Sequence, residues 1–284
     1  MPVMNSQLPK LDVSNLRCLA FDAVGTLIFA EPSVAEVYAS VGQQFGSKVT
    51  ADEIGPRFRE ALCRADTEAE RWFGELGRTN EDYEREFWRR MVREVLPDAG
   101  EPERCFEMLF DHFGQPSSWR CFDDVGLTLA QLQARGYRVL IASNFDARLH
   151  SVCDGLHELQ EVSTRVISSL AGYRKTHHGF YAAVLNAAEC DASEVLMIGD
   201  DFENDVVSSR NAGIAAVHLR RELLETTSVS LPPLSLPQWK RASALRVESS
   251  ETPRPIVQKP ASHRGKLDGV VEISRLTDLL EWLP

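Results

Sequence analysis

The chain is poor in the features that staple, anchor or export a protein. Its six cysteines (Cys18, Cys63, Cys105, Cys121, Cys153, Cys190) are scattered, with no Cys-x-x-Cys pair. That spacing offers neither a disulfide framework nor a zinc site, and it points to free thiols in a reducing compartment. No stretch approaches the roughly 18 apolar residues that a membrane span needs. Met1 to Leu16 lacks the basic start and apolar run of a secretory signal. A cytoplasmic location is therefore the expectation. Positive charge is also scarce: 31 Lys and Arg face 42 Asp and Glu, for a formal net charge of -11. Nucleic acid and anionic membranes would be repelled, so neither is expected as a partner. An anionic small substrate then needs local positive charge, from a lysine or a metal.

What is present reads as a folded domain. At 284 residues the chain can form one large domain, or a core with a smaller module. Five short apolar runs read as parallel strands: Leu16–Phe21, Tyr137–Ala142, Arg165–Ser168, Val195–Ile198 and Ala215–Leu219. From the second run onward they alternate with helical patterns at Val125–Ala134, Ala147–Leu156, Phe180–Glu189 and Glu203–Asn211. Such alternation predicts an α/β fold, a Rossmann-like doubly wound parallel sheet with right-handed crossovers. A further strand, Val270–Ile273, and a helix, Leu276–Leu283, close the chain.

Residues 33–115 break this rhythm with amphipathic helices and no convincing strand. Tyr83, Phe87 and Met91 recur every four residues, and Thr79 with Asp82 resembles a variant capping box at that helix's start. This predicts a helical cap domain over 33–115, set into a core of 1–32 and 116–284 and seated over the strand ends. Its aromatics Trp72, Phe73 and Trp88 read as core. Residues 226–268 hold six prolines, seven serines and seven Lys or Arg against three Asp or Glu, with no regular period. Two readings stand: a long solvated loop, or a docking segment for a partner, anchored by Trp239.

Four places at strand ends carry chemistry. Asp22 follows the first strand, ahead of Gly25 and Thr26. Ser143-Asn144 follows the second strand, where it could equally cap a helix. Lys175 precedes a helix, and Gly199-Asp200-Asp201 with Asp205 follows the strand Val195–Ile198. Open α/β sheets bind ligands at such strand mouths. Carboxylates crowded there repel one another unless they are protonated or joined by a cation. A hard divalent ion such as Mg²⁺ suits an all-oxygen set shared with a substrate phosphate. His177-His178 read as solvated or capping residues, because adjacent histidines on a helix project in different directions.

Asp22-x-x-x-Thr26, Ser143-Asn144, Lys175 and Gly199-Asp200-x-x-x-x-Asp205 match in order the four motifs of the haloacid dehalogenase (HAD) superfamily. The chain resembles its members with a helical cap after the first motif. Ser143-Asn144-Phe145-Asp146-Ala147-Arg148-Leu149 and Gly172-Tyr173-Arg174-Lys175 are similar to the branch called HDHD3-like or DREG-2-like. The resemblance implies a Mg²⁺-dependent phosphatase of small phosphorylated metabolites, with Asp22 as nucleophile. It implies that Thr26 orients Asp22, that Asn144 contributes to substrate binding, and that Ser143 and Lys175 bind the phosphoryl oxygens. Asp22, the backbone carbonyl of Val24 and Asp200 would hold Mg²⁺, with Asp201 and Asp205 in its outer shell.

Two positions depart from the family pattern. Val24 stands where phosphatases of the family carry an aspartate that serves as general acid and base, and Thr176 stands where a proline commonly follows the lysine. Val24 keeps two other readings open. One is a metal-independent 2-haloacid dehalogenase, which the Asp200-Asp201 pair disfavours. The other is a weakly active or non-catalytic binding protein that keeps the fold.

Overall fold

The computed structural model describes residues 13–65, 73–221 and 270–284. The 226–268 segment, Trp72 and Trp239 lie outside the described residues. Six parallel strands form the main sheet: β1 (Cys18–Phe21), β4 (Arg138–Ser143), β5 (Arg165–Ile167), β6 (Val195–Gly199), β7 (Ala215–Leu219) and β8 (Val271–Ile273). Their order is β5-β4-β1-β6-β7-β8, so the chain winds outward in both directions from β1. The doubly wound reading is correct.

Strand alternation builds two apolar layers. Leu19 and Phe21 of β1, Val139 and Ile141 of β4, and Leu196 and Ile198 of β6 face one layer. Cys18 and Ala20, Leu140 and Ala142, and Val195 and Met197 face the other. Because side chains alternate across a strand, a sheet covered on both faces needs continuous apolar runs. Helices α5 (Val125–Ala134) and α6 (Arg148–Gly155) cover the first face, and α8 (His178–Ala188) covers the second.

A two-stranded antiparallel ribbon, not expected from the sequence, joins the core to the cap. It pairs β2 (Ile28–Ala30) with β3 (Trp119–Cys121). Three-residue strands are too short to register as a period. Between them lie the cap helices α1 (Val34–Gln44), α2 (Ala51–Ala65), α3 (Glu81–Val95) and α4 (Pro102–His112). They share an apolar cluster running from Ala35 to Leu109, separate from both sheet layers, and Tyr83, Phe87 and Met91 are buried in it. Phe73 and Trp88 pack at its margin.

The start of α3 corrects one expectation. Asn80, not Thr79, caps the helix, its side chain accepting the Tyr83 N–H at 2.8 Å. The buried Thr79 hydroxyl turns instead to the Glu84 carboxylate. The stretch expected as helix over Glu203–Asn211 divides into a π-helical turn, Phe202–Val207, and α9 (Ser208–Asn211), after the short α7 (Ser168–Ala171) earlier in the chain. π-turns inside helical segments gather at functional sites, and this one carries Asp205. The terminal helix is a 3₁₀ turn at Leu276–Asp278 followed by α10 (Leu279–Trp282). No helix among the described residues is long and apolar enough to cross a membrane.

Candidate active site

Parallel pairing brings the carboxyl ends of three strands to one edge of the sheet. Phe21 lies opposite Ile141 on one side and Ile198 on the other. Asp22 therefore stands level with Gly199 at the switch point of the sheet, while β4 runs on through the buried Ala142 to Ser143. Asp22 is tied there by its N–H to the Ile198 carbonyl at 2.9 Å. A tight turn follows, with the Leu27 and Ile28 N–H groups both reaching the Ala23 carbonyl. Gly25 holds φ +89°, and a Cβ there would stand 2.4 Å from the Asp200 carboxylate.

Lys175 enters from the loop before α8. It is 2% exposed, and its ammonium donates to Asp22 and, at 2.6 Å, to Asp205. Burial works against its charge, yet the Asp205 and Asp22 carboxylates outweigh burial and hold its pKa above the ordinary lysine value. Its backbone N–H donates to the Asn144 side chain at 2.9 Å, which places Asn144 behind the lysine. Ser143 is buried at the last position of β4.

The acidic loop after β6 has a division of labour that the motif did not reveal. Asp205 is fully buried; one carboxylate oxygen meets Lys175 and the other accepts the Asp201 N–H at 3.0 Å. Burial pushes its pKa well above the usual aspartate value, against the pull of Lys175. Asp200 is raised to about 7, by burial first and then by the Asp22 charge. The Asp201 carboxylate is occupied elsewhere, accepting the Glu203 and Asn204 N–H groups and the Asn204 side-chain amide. Thr26 also differs from expectation: its hydroxyl donates to the Asp200 carboxylate at 3.0 Å and accepts the Asp200 N–H at 3.1 Å. The turn aims this hydroxyl across to the β6 loop, so Thr26 holds Asp200 rather than Asp22.

Asp22, Asp200 and Asp205 each offer an oxygen within 4.8 Å of the others. Gly199 makes this possible on one side, because a Cβ there would lie 2.1 Å from the Asp205 carboxylate. Among the described residues one ammonium faces three carboxylates, two of them with raised pKa, so the cluster is short of positive charge. An all-carboxylate donor set with a charge deficit fits a hard divalent cation. Val24 is partly buried against the apolar core and brings no titratable atom to the site.

Several supporting residues left no mark in the sequence. Arg221 donates to the Thr26 carbonyl at 2.7 Å, pairs with the buried Asp124 and lies 3.8 Å from the Phe122 ring centroid. His218 Nε2 lies 3.1 Å from the Asp200 carbonyl, which can only accept, so Nε2 carries the proton. Tyr181 donates its hydroxyl to the Asn204 carbonyl, and burial holds that hydroxyl well above the ordinary tyrosine pKa. Each is distant in sequence from the group it serves. His177 caps α8, its Nδ1 accepting the Gly179 N–H at 3.0 Å.

Known proteins share this architecture. A zebrafish (Danio rerio) protein, haloacid dehalogenase-like hydrolase domain-containing protein 3, is 27% identical over 223 residues, covering 77% of this chain and 90% of its own length. A defluorinating L-2-haloacid dehalogenase of solved structure superposes with a TM-score of 0.65 at 14% identity, over 94% of this chain and 95% of that one. A HAD-hydrolase from Bacillus subtilis, solved bound to magnesium, gives 0.63 at 14% identity, over 95% and 99%. At such identities the structural likeness speaks to fold alone. The model of the haloacid dehalogenase-like hydrolase family matches residues 16–213, from just before β1 to just past α9. The chain belongs to that family.

Proposed function

We propose that the chain is a Mg²⁺-dependent phosphatase acting on a small phosphorylated metabolite in the cytoplasm, with Asp22 as nucleophile. The observation that carries this is the Lys175 ammonium bonded to Asp22 inside a cluster of three carboxylates. Asp22, the Val24 carbonyl and Asp200 would hold the metal. When bound, Mg²⁺ supplies positive charge that offsets the phosphoryl oxygens. Asp22 attacks phosphorus as the bond to the leaving-group oxygen breaks, which leaves an acyl phosphate on Asp22. Water then attacks that phosphorus, releasing inorganic phosphate and restoring the carboxylate.

Lys175 offsets the charge on Asp22 and its phosphoryl group, while Ser143 binds a phosphoryl oxygen from the end of β4. Oriented charges of this kind supply most of the catalysis in phosphoryl transfer. Asn144 acts through Lys175, whose backbone it holds. Val24 offers no proton to the departing oxygen. General acid–base catalysis is typically worth ~10²–10⁴-fold, or roughly 3–5 kcal/mol of barrier. The chain should therefore favour aryl and acyl phosphates, whose leaving groups depart without protonation.

A panel of aryl, acyl and alkyl phosphates, with and without Mg²⁺, tests the reading. Phosphate release should depend on Mg²⁺, favour the activated esters and vanish in Asp22→Asn. No release across the panel, or full release by Asp22→Asn, would overturn it.

A further inference from the structure

The loop that presents Lys175 belongs to the α/β core, but the cap fastens it as firmly as the core does. The core holds it through Asn144, which takes the Lys175 N–H, and through the left-handed Gly172, whose N–H reaches the Ser168 carbonyl at 2.9 Å. The cap segment before α3 pairs with it backbone to backbone. Arg174 N–H donates to the Gly77 carbonyl at 2.8 Å, and Thr79 N–H donates to the Gly172 carbonyl at 3.1 Å. Arg78 donates to the Tyr173 hydroxyl at 2.7 Å.

One side-chain contact dominates this seam. The Arg174 guanidinium makes a two-pronged pair with Glu84 of α3, with contacts of 2.8 Å to both carboxylate oxygens. Glu84 is 4% exposed, and Thr79 donates to it as well. The guanidinium also lies 4.8 Å from the Phe87 ring centroid. Fork-to-fork arginine–carboxylate pairs fix direction as well as distance. Arg174 and Lys175 are neighbours whose cations go opposite ways, one into the cap and one to Asp22 and Asp205. Turning Arg174 away from Glu84 would rotate the backbone from which Lys175 projects.

We propose that Glu84 is a positioning residue that acts through Arg174: docking of the cap sets the Lys175 loop, and Lys175 is seated only while the cap is docked. The catalytic consequence rests on the phosphatase reading above, whereas the coupling of cap to loop does not. The site is then assembled by the cap rather than merely covered by it.

The test uses the full chain with Glu84→Gln, Glu84→Asp, Arg174→Gln and the double variant Glu84→Gln/Arg174→Gln. Amide hydrogen exchange should rise about tenfold or more at residues 172–178 in Glu84→Gln, while β1, β4 and β6 stay protected as a control for folding. On an activated phosphate ester, kcat should fall about tenfold or more, with a smaller change in KM, because the pair acts on Lys175 and not on the substrate. The double variant should be no worse than the poorer single one, since residues of one unit are non-additive. Glu84→Asp, which keeps the charge, should recover part of the loss. Wild-type exchange at 172–178 in Glu84→Gln and in the double variant would overturn the proposal, as would losses that multiply. If the chain turns over no ester, the phosphatase reading fails while the exchange measurement still decides the coupling.

Discussion

Replacing Lys175 with methionine removes the one ammonium from a pocket that keeps Asp22, Asp200 and Asp205. The Lys175–Asp205 contact of 2.6 Å corresponds to about 6 kcal/mol of attraction at an effective dielectric of about 20. Two ionised carboxylates whose oxygens lie within 4.8 Å of each other repel by roughly 3.5 kcal/mol or more on the same scale. Proton uptake by the carboxylates relieves part of this, and breaking one partner out of a buried pair typically costs about 3–5 kcal/mol. For a chain of this size, that lowers the melting temperature by roughly 5–10 °C. The informative quantity is the response to metal. A divalent cation in the wild-type site meets repulsion from Lys175, and in Lys175→Met it does not. Saturating Mg²⁺ should therefore raise the melting temperature more in the variant than in the wild type, although the variant has lost its turnover. Calorimetry with EDTA and with Mg²⁺ measures both shifts. A metal-free variant as stable as the wild type, or a smaller Mg²⁺ response in the variant, would refute the charge-deficit reasoning.

Three further outcomes are expected. Val24→Asp should raise turnover of alkyl phosphates by about 10²–10⁴-fold and that of aryl phosphates far less; an equal effect on both would show that leaving-group protonation is not what Val24 withholds. Gly199→Ala should expel the Asp205 carboxylate from beside the strand end, because the new Cβ would stand 2.1 Å from it. Overpacking of this kind costs about 1–3 kcal/mol, and with one carboxylate fewer in the cluster Mg²⁺ should raise the melting temperature of that variant less than that of the wild type. Without metal, the contribution of Asp200 to stability should fall as pH rises from about 4 through about 7. Asp200 is raised to about 7 by burial and by Asp22, so its contribution is complete below the unfolded value and lost above the folded one. The stability of wild type relative to Asp200→Asn should fall over this range, less so in saturating Mg²⁺, and a difference that rises with pH would contradict the assignment.

Much of the core could be read directly. Runs such as Val195–Ile198 are short, apolar and flanked by turns, so strand identity followed from local pattern, and the order of motifs along the chain placed Asp22, Ser143 and Asp200 at strand ends; Lys175, expected there too, comes instead from the loop between α7 and α8. The ribbon of β2 and β3 escaped, since Ile28–Ala30 and Trp119–Cys121 find each other only across the whole cap. Thr79 was misread for a different reason: its hydroxyl is claimed by the buried Glu84 only five residues on, which Arg174 holds in place from the core, while Asn80 takes the cap.

The identity of the chemical groups was therefore a property of the sequence alone: which residues could attack, bind a cation or donate a proton, and that Val24 could not. What each group faces was decided by the fold. Parallel register set Asp22 beside Gly199, one residue before Asp200, and a turn aimed Thr26 at Asp200. Helix capping drew Asp201 out of the cluster that Asp205 entered. Arg174, an ordinary neighbour in the motif, was turned into the cap by Glu84. Local pattern fixes backbone habit because it depends on near neighbours. Side-chain partnership depends on contacts across as many as 195 positions, as between Arg221 and Thr26, which no local pattern encodes.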